Sequence, residues 1–152
     1  MNLEWVFPAA LLEIDAVCAA IQAQVADCCE ADRFALQLLA RESLNNAVLH
    51  GSGLDPALRV RCQLWREGAA VCLRVSDEGP GFDWRAVQAR AEVAQDKEEG
   101  RGLVLYRLYA SQVIFNDSGS SVTLIRPLQD PEGSRLDHPS SATRKGAASS
   151  PF

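Results

Sequence analysis

Three short stretches of the chain carry side chains able to do chemistry together. In the first, LARESLNNAVLHG, Glu42, Asn46 and His50 recur every fourth residue and Gly51 follows at once. Ala35, Leu39 and Leu49 mark the apolar stripe of one helix, and Glu42 and Asn46 fall inside that stripe, so a carboxylate and an amide point inward. An unpaired charge there is costly, and the position demands a cation, a hydrogen-bond donor or a water-filled cavity. Glu42 paired with a nearby Arg, and Asn46 capping a loop, would meet that demand without any ligand. Gly51 is placed to end the helix as a C-cap.

The second stretch ends a strand. Val71, Leu73 and Val75 alternate with Cys72, Arg74 and Ser76, and one further step brings Asp77 to the buried side, followed by Glu78-Gly79-Pro80-Gly81. Gly79 and Gly81 permit a close backbone approach that other residues forbid. An ordinary turn, with Asp77 bonded to its own backbone, fits the same pattern. In the third stretch Gly100-Arg101-Gly102 opens the run LVLYRLYA. Free amides and a partial positive charge at a helix start behind two glycines suit a phosphate chain, although a plain loop-to-helix turn reads the same way.

The elements that must position these groups follow from hydrophobic period. Asn2 to Phe7, closed by Pro8, suits an edge strand. Leu11, Ile14, Cys18, Ile21 and Val25 recur at three and four residues, which predicts a helix from Ala9 to about Cys29; Asp32 is placed to cap the next. After Gly51-Ser52-Gly53, Leu58, Val60, Cys62 and Leu64 alternate with Arg59, Arg61, Gln63 and Trp65, a half-buried strand that turns at Arg66 to Ala69 into the strand ending at Asp77. Arg59, Arg61 and Arg74 are expected to make the outer face basic. Phe82 to Glu99 reads as a mobile segment, helical in its first half and charged in its second. Leu105, Leu108 and Tyr109 are spaced for a packed helix after Gly102, and Val113 to Phe115 and Val122 to Arg126 frame a closing hairpin. From 128 to 152 the composition is rich in Pro, Gly and Ser, and a disordered tail is expected.

Composition limits the function classes. The 152 residues suit one domain, 47% hydrophobic and 23% charged is ordinary for a soluble protein, and no apolar run approaches the ~18 residues of a membrane span. The start lacks a basic region before its apolar run, so a cytoplasmic location is expected. A net charge of −5 speaks against sequence-independent nucleic-acid binding. The five cysteines form no CxxC pair; Cys18 and Cys28 fall on an apolar helical stripe and Cys62 on a strand's apolar face, which suits small core residues in a reducing compartment.

Taken in order, Glu42-x-x-x-Asn46-x-x-x-His50-Gly51, Asp77-x-Gly79-x-Gly81 and Gly100-Arg101-Gly102 resemble the N, G1 and G2 boxes of the GHKL ATPases. Within them, the Asn-Ala-x-x-His-Gly ending and the small size resemble the anti-sigma-factor serine/threonine kinases of bacterial partner-switching systems. The match spans roughly Leu3 to Pro127. It implies an α/β two-layer sandwich, the Bergerat ATP-binding fold, with a mixed, mostly antiparallel sheet covered by helices on one face, a kinase domain over 1–127, and ATP and Mg²⁺ held under a flexible lid. By the same resemblance, Asn46 matches the Mg²⁺ ligand and Glu42 the catalytic general base. Asp77 matches the acceptor of the adenine amino group, and Gly79 and Gly81 would lie against the nucleotide. Gly100, Arg101, Gly102 and Leu103 match the phosphate turn, His50 closes the N box, and Ser121 stands near adenine. Val104 replaces a glycine common in the family, and Glu98 and Glu99 before the turn would repel a triphosphate unless Mg²⁺ or lid movement offsets them.

What the resemblance implies is a kinase that phosphorylates a small STAS-domain (anti-anti-sigma) antagonist and sequesters a sigma factor or comparable regulator. A non-catalytic ATP-binding switch module and, less closely, the catalytic half of a histidine kinase acting in trans are the alternatives; the latter needs a phospho-accepting His, and the chain offers only His50 and His138. A homodimer through the edge strand at Asn2 to Phe7 is a further expectation.

Overall fold

The computed structural model describes residues 2–93 and 101–129. Five strands, β1 (Asn2–Pro8), β2 (Arg59–Glu67), β3 (Ala70–Asp77), β4 (Gln112–Phe115) and β5 (Ser121–Pro127), form one sheet in the order β1-β2-β3-β5-β4. Every pairing is antiparallel, so the sheet expected to be mixed and mostly antiparallel is antiparallel throughout. Alternation decides which face is covered. Phe7, Val60, Leu64, Leu73, Val75 and Leu124 all project to one side, where they join Ile14, Ile21, Leu36, Leu39 and Leu44 from two helices in a single core. Those helices are α1 (Leu12–Gln24) and α2 (Glu30–Asn46); α3 (Trp84–Val93) and α4 (Arg101–Tyr109) follow β3. The result is the two-layer α/β sandwich.

The first helix is shorter than its apolar period suggested, because the chain turns after Gln24; Cys28 lies in the connection, half-buried, and not on a helical stripe. Asp32 does not cap α2. The helix starts at Glu30 after Cys29, with no side-chain cap, and Asp32 sits in the first turn with no exposed surface. There it accepts from Arg126 Nε (3.1 Å) and Nη2 (3.0 Å) and from the backbone N–H of Gln129 (2.8 Å). Leu128 also bonds back to Ala69, so two residues assigned to the tail are fastened to the domain; the rest of that assignment, from 130 onward, lies outside the described residues.

β2 runs on to Glu67 and pairs with Ala70, which narrows the expected turn to Gly68-Ala69; Gly68 takes the left-handed φ of +59° that so tight a hairpin requires. On the uncovered face the expected basic surface is largely partnered. Arg61 pairs with Glu4 at 2.9 Å, and Arg74 lies over the Trp65 ring and donates to Thr123 Oγ1.

α4 buries Leu103 and Tyr106, with Ala110 just past its end; of the residues expected to pack, Leu105 and Tyr109 are half-buried, Tyr109 against the core and Phe34, while Leu108 is 68% exposed. Gly102 fixes this rotation by lying against α2, and positions one and four residues later then face inward. Among the described residues no helix is long and apolar enough to cross a membrane.

Candidate functional site

Glu42 and Asn46 lie one turn apart on α2, both half-buried. Arg41 beside them turns the other way to pair with Asp15 at 2.9 Å, and among the described residues no hydrogen bond or ion pair engages the Glu42 carboxylate. Asn46 donates from Nδ2 to the Tyr106 hydroxyl at 2.9 Å, and among the described residues nothing bonds its Oδ1. Gly102 closes over both groups: a Cβ there would stand 2.9 Å from Asn46 Nδ2 and 3.0 Å from Glu42 Oε1. Tyr106 is buried, and burial pushes its phenol well above the ordinary range, so it stays a neutral hydroxyl.

Past Asn46 the helix widens into a π turn (Ala47–Gly51), closed by the Ser52 N–H on the Ala47 carbonyl at 2.8 Å. The wider turn shifts the phase of the stripe. Val48 goes to the core, and Leu49, expected there, is 38% exposed. Gly51 is consequently no left-handed C-cap; the positive φ values fall at Gly53 and Leu54. A different reason requires glycine at 51. The Asp77 carboxyl occupies the space a Cβ would need, and the Gly51 carbonyl in turn presses on Gly79 Cα, where no side chain fits.

Asp77 accepts from the Gly79 N–H at 2.8 Å, so the ordinary turn bond is present, yet the carboxyl as a whole faces the cleft and the Gly51 backbone. Burial raises its pKa, and the Gly79 N–H partly offsets the rise. For an acid whose folded pKa is raised, the fold holds the proton more tightly than the unfolded chain does. The associated stability is therefore present below the ordinary pKa and lost as pH climbs through the raised one. Asp77→Asn, which keeps an oxygen for Gly79, is expected to raise the melting temperature of the ligand-free protein at pH 7 and to leave it unchanged near pH 3. A lower melting temperature at pH 7 would contradict this placement.

Between the two ends lies a cleft of about 710 Å³, lined by Glu42, Asn46, His50, Gly51, Asp77, Gly81, Arg101, Gly102, Leu103 and Ser121 among others. Almost every residue singled out in the sequence thus meets in one cavity. Gly79 does not line it but backs Gly51, and Gly100 lies outside the described residues, as do Glu98, Glu99 and the charged end of the 82–99 segment. Ser121 reaches the cleft, although its hydroxyl bonds to Ser76 at 3.1 Å. Val104 is 39% exposed on the outer side of α4, so the side chain in place of glycine is directed to solvent.

Sequence reading missed Phe82, Asp83, Gly119 and Ser120, which join Gly81 at the rim of the cleft. Gly81 (φ +80°) packs on the Ser118 carbonyl and Gly119 (φ +78°) on that of Phe82, while Phe115 meets Phe82 edge-on and stacks on Trp84. Asn116-Asp117-Ser118-Gly119 had read only as a hairpin turn. It also missed Tyr106, whose spacing from Gly102 was the available signal.

A half-buried carboxylate and a free amide oxygen at one end, a carboxylate gripped by backbone at the other, and a glycine-bearing helix start between them form an arrangement that now carries a comparison. The family model described as histidine kinase-like ATPase domain matches residues 7–126. The chain belongs to this family. No curated protein matches it. The match covers α1, α2, the whole cleft and all of the sheet except most of β1 and the last residue of β5. The cavity between α2, α4 and β3, which the groups described above face, lies within the matched residues.

Proposed function

We propose that the cleft binds Mg-ATP and that the chain is a serine/threonine protein kinase, transferring the γ-phosphoryl group to a hydroxyl of a small STAS-type antagonist and sequestering a sigma factor or comparable regulator. The observation that carries this is the pairing, one helical turn apart, of an inward carboxylate and an amide oxygen that have no hydrogen-bond partner among the described residues. Both oxygens face the cleft, and a hydrated divalent cation would engage them together. The donor set also fits magnesium, which takes few protein oxygens and completes its octahedron with phosphate and water. Asn46 Oδ1 would hold the ion, which supplies charge neutralisation along the triphosphate.

The remaining roles belong to the chain's own groups. Asp77, at the far end, accepts a hydrogen bond from an adenine amino group, with Gly51 and Gly81 lining the cleft beside it. Arg101 and the amides at the start of α4 face the phosphates. Glu42 takes the proton of the attacking hydroxyl as its oxygen bonds to the γ-phosphorus and the bond to the β–γ bridging oxygen breaks, leaving ADP. The phosphate placed on the antagonist adds about −1.5 to −2 charges, and its repulsion from this acidic chain would release the antagonist and free the surface for the regulator.

Calorimetric titration with ATP, with and without magnesium, tests the first step. Saturable binding that needs the metal for full affinity is expected, and no heat together with no thermal stabilisation would end the proposal. Isolating the chain from cell extract with ATP and then ADP, and following label from γ-labelled ATP into what co-purifies, tests the second. Serine or threonine phosphate on a small co-purifying protein is expected. Tight binding with no transfer would reduce the chain to a nucleotide-set switch, and phosphohistidine on a partner would make it the catalytic half of a histidine kinase.

A further inference from the structure

We infer that Tyr106 is a positioning residue for the metal: its hydroxyl accepts from the Asn46 NH₂ in the orientation that presents oxygen, and not NH₂, to a divalent cation. The inference rests on the Mg-ATP reading above.

A side-chain amide has an oxygen at one end and an NH₂ at the other, similar in size, and only the oxygen can ligate a cation. On a half-exposed helix position, rotation about the last bond costs little, and an amide turned the wrong way would set two N–H donors against the metal. In the structure the NH₂ end of Asn46 is the end engaged, which turns its oxygen away from Tyr106. Its Nδ2 donates to Tyr106 Oη at 2.9 Å, and the same nitrogen lies so near Gly102 that a Cβ there would stand 2.9 Å from it. Both contacts come from α4, which also supplies Arg101 to the cleft. The tyrosine is itself held, with its ring 3% exposed in the core beside Leu103. Packing by itself would be served as well by phenylalanine; the hydroxyl is the part that packing leaves unexplained. Hydrogen-bond partners that orient a metal ligand change metal affinity by about 10- to 100-fold when removed.

Tyr106→Phe keeps the ring and removes only the hydroxyl. The full chain, wild type and variant, is held at saturating ATP and titrated with magnesium chloride while thermal stabilisation is followed, and ATP affinity is measured separately in EDTA. The variant should need about 10-fold more magnesium for half-maximal stabilisation, with ATP affinity in EDTA and the melting temperature of the empty protein nearly unchanged. An unshifted magnesium midpoint overturns the inference, as does a loss of ATP affinity in EDTA as large as the loss with metal, which would mean a general loosening of the cleft. A wild-type chain showing no magnesium-dependent ATP binding overturns the reading beneath it, and the two failures are told apart by the wild-type curve.

Discussion

Glu42→Gln protein is expected to bind Mg-ATP within a few-fold of wild type and to transfer the γ-phosphoryl group about 10²- to 10⁴-fold more slowly, the span general-base catalysis contributes. Glutamine keeps the shape beside Gly102 and the reach toward the cleft, so Asn46 and the phosphate turn stay in place. What it lacks is a lone pair basic enough to take a hydroxyl proton. Single-turnover transfer from labelled ATP to the co-purified acceptor measures the first quantity, and calorimetry the second. Transfer at the wild-type rate would remove Glu42 from the base role; binding lost along with transfer would assign it to holding nucleotide.

The second large effect is on stability and lies at the other end of α2. Asp32 has no exposed surface and receives Arg126 through two nitrogens, the Gln129 N–H at 2.8 Å and the Cys29 thiol at 3.2 Å. Arg126 also donates to the Tyr109 carbonyl at 2.9 Å, so its guanidinium ties the end of α4 to β5 and to α2. Removing one member of such a pair leaves the other charge buried and unmatched, and Asp32→Ala is expected to cost about 3 to 5 kcal/mol. Urea unfolding followed by circular dichroism measures it. Asp32→Ala combined with Arg126→Met should recover much of the loss, because a buried pair replaced by apolar groups is close to neutral. A loss below about 1 kcal/mol would place the pair among solvent-screened bridges. Since the pair sits away from the cleft, Mg-ATP affinity at low temperature should be little changed.

Some of this was determined by the sequence alone. Strict alternation over β2 and β3 requires one wet and one dry face, and carrying it one step further put Asp77 on the buried side; its pairing with Val60, a fully buried residue, places it there. The three-and-four spacing around Glu42 and Asn46 likewise turned both inward, since helical period is a local property. The order of the three boxes pointed to the family to which the chain belongs.

Other features depend on contacts between residues far apart in the chain, and no local period encodes them. Asp32 looked like a cap because its type and position suit one, but Arg126, 94 residues away, offered a stronger partner than the helix's own amides. Gly51 looked like a C-cap and is glycine because Asp77 and Gly79 crowd its backbone from a strand end. Leu49 left the core because the helix widens by a π turn that no residue type announces. Tyr106 met Asn46 only once α4 had settled on α2 with Gly102 at the crossing. Hydrophobic patterning thus chose which way each side chain faces; which polar group it then meets was decided by how the two layers close, because a hydrogen bond depends on tenths of an ångström and a pattern of burial does not.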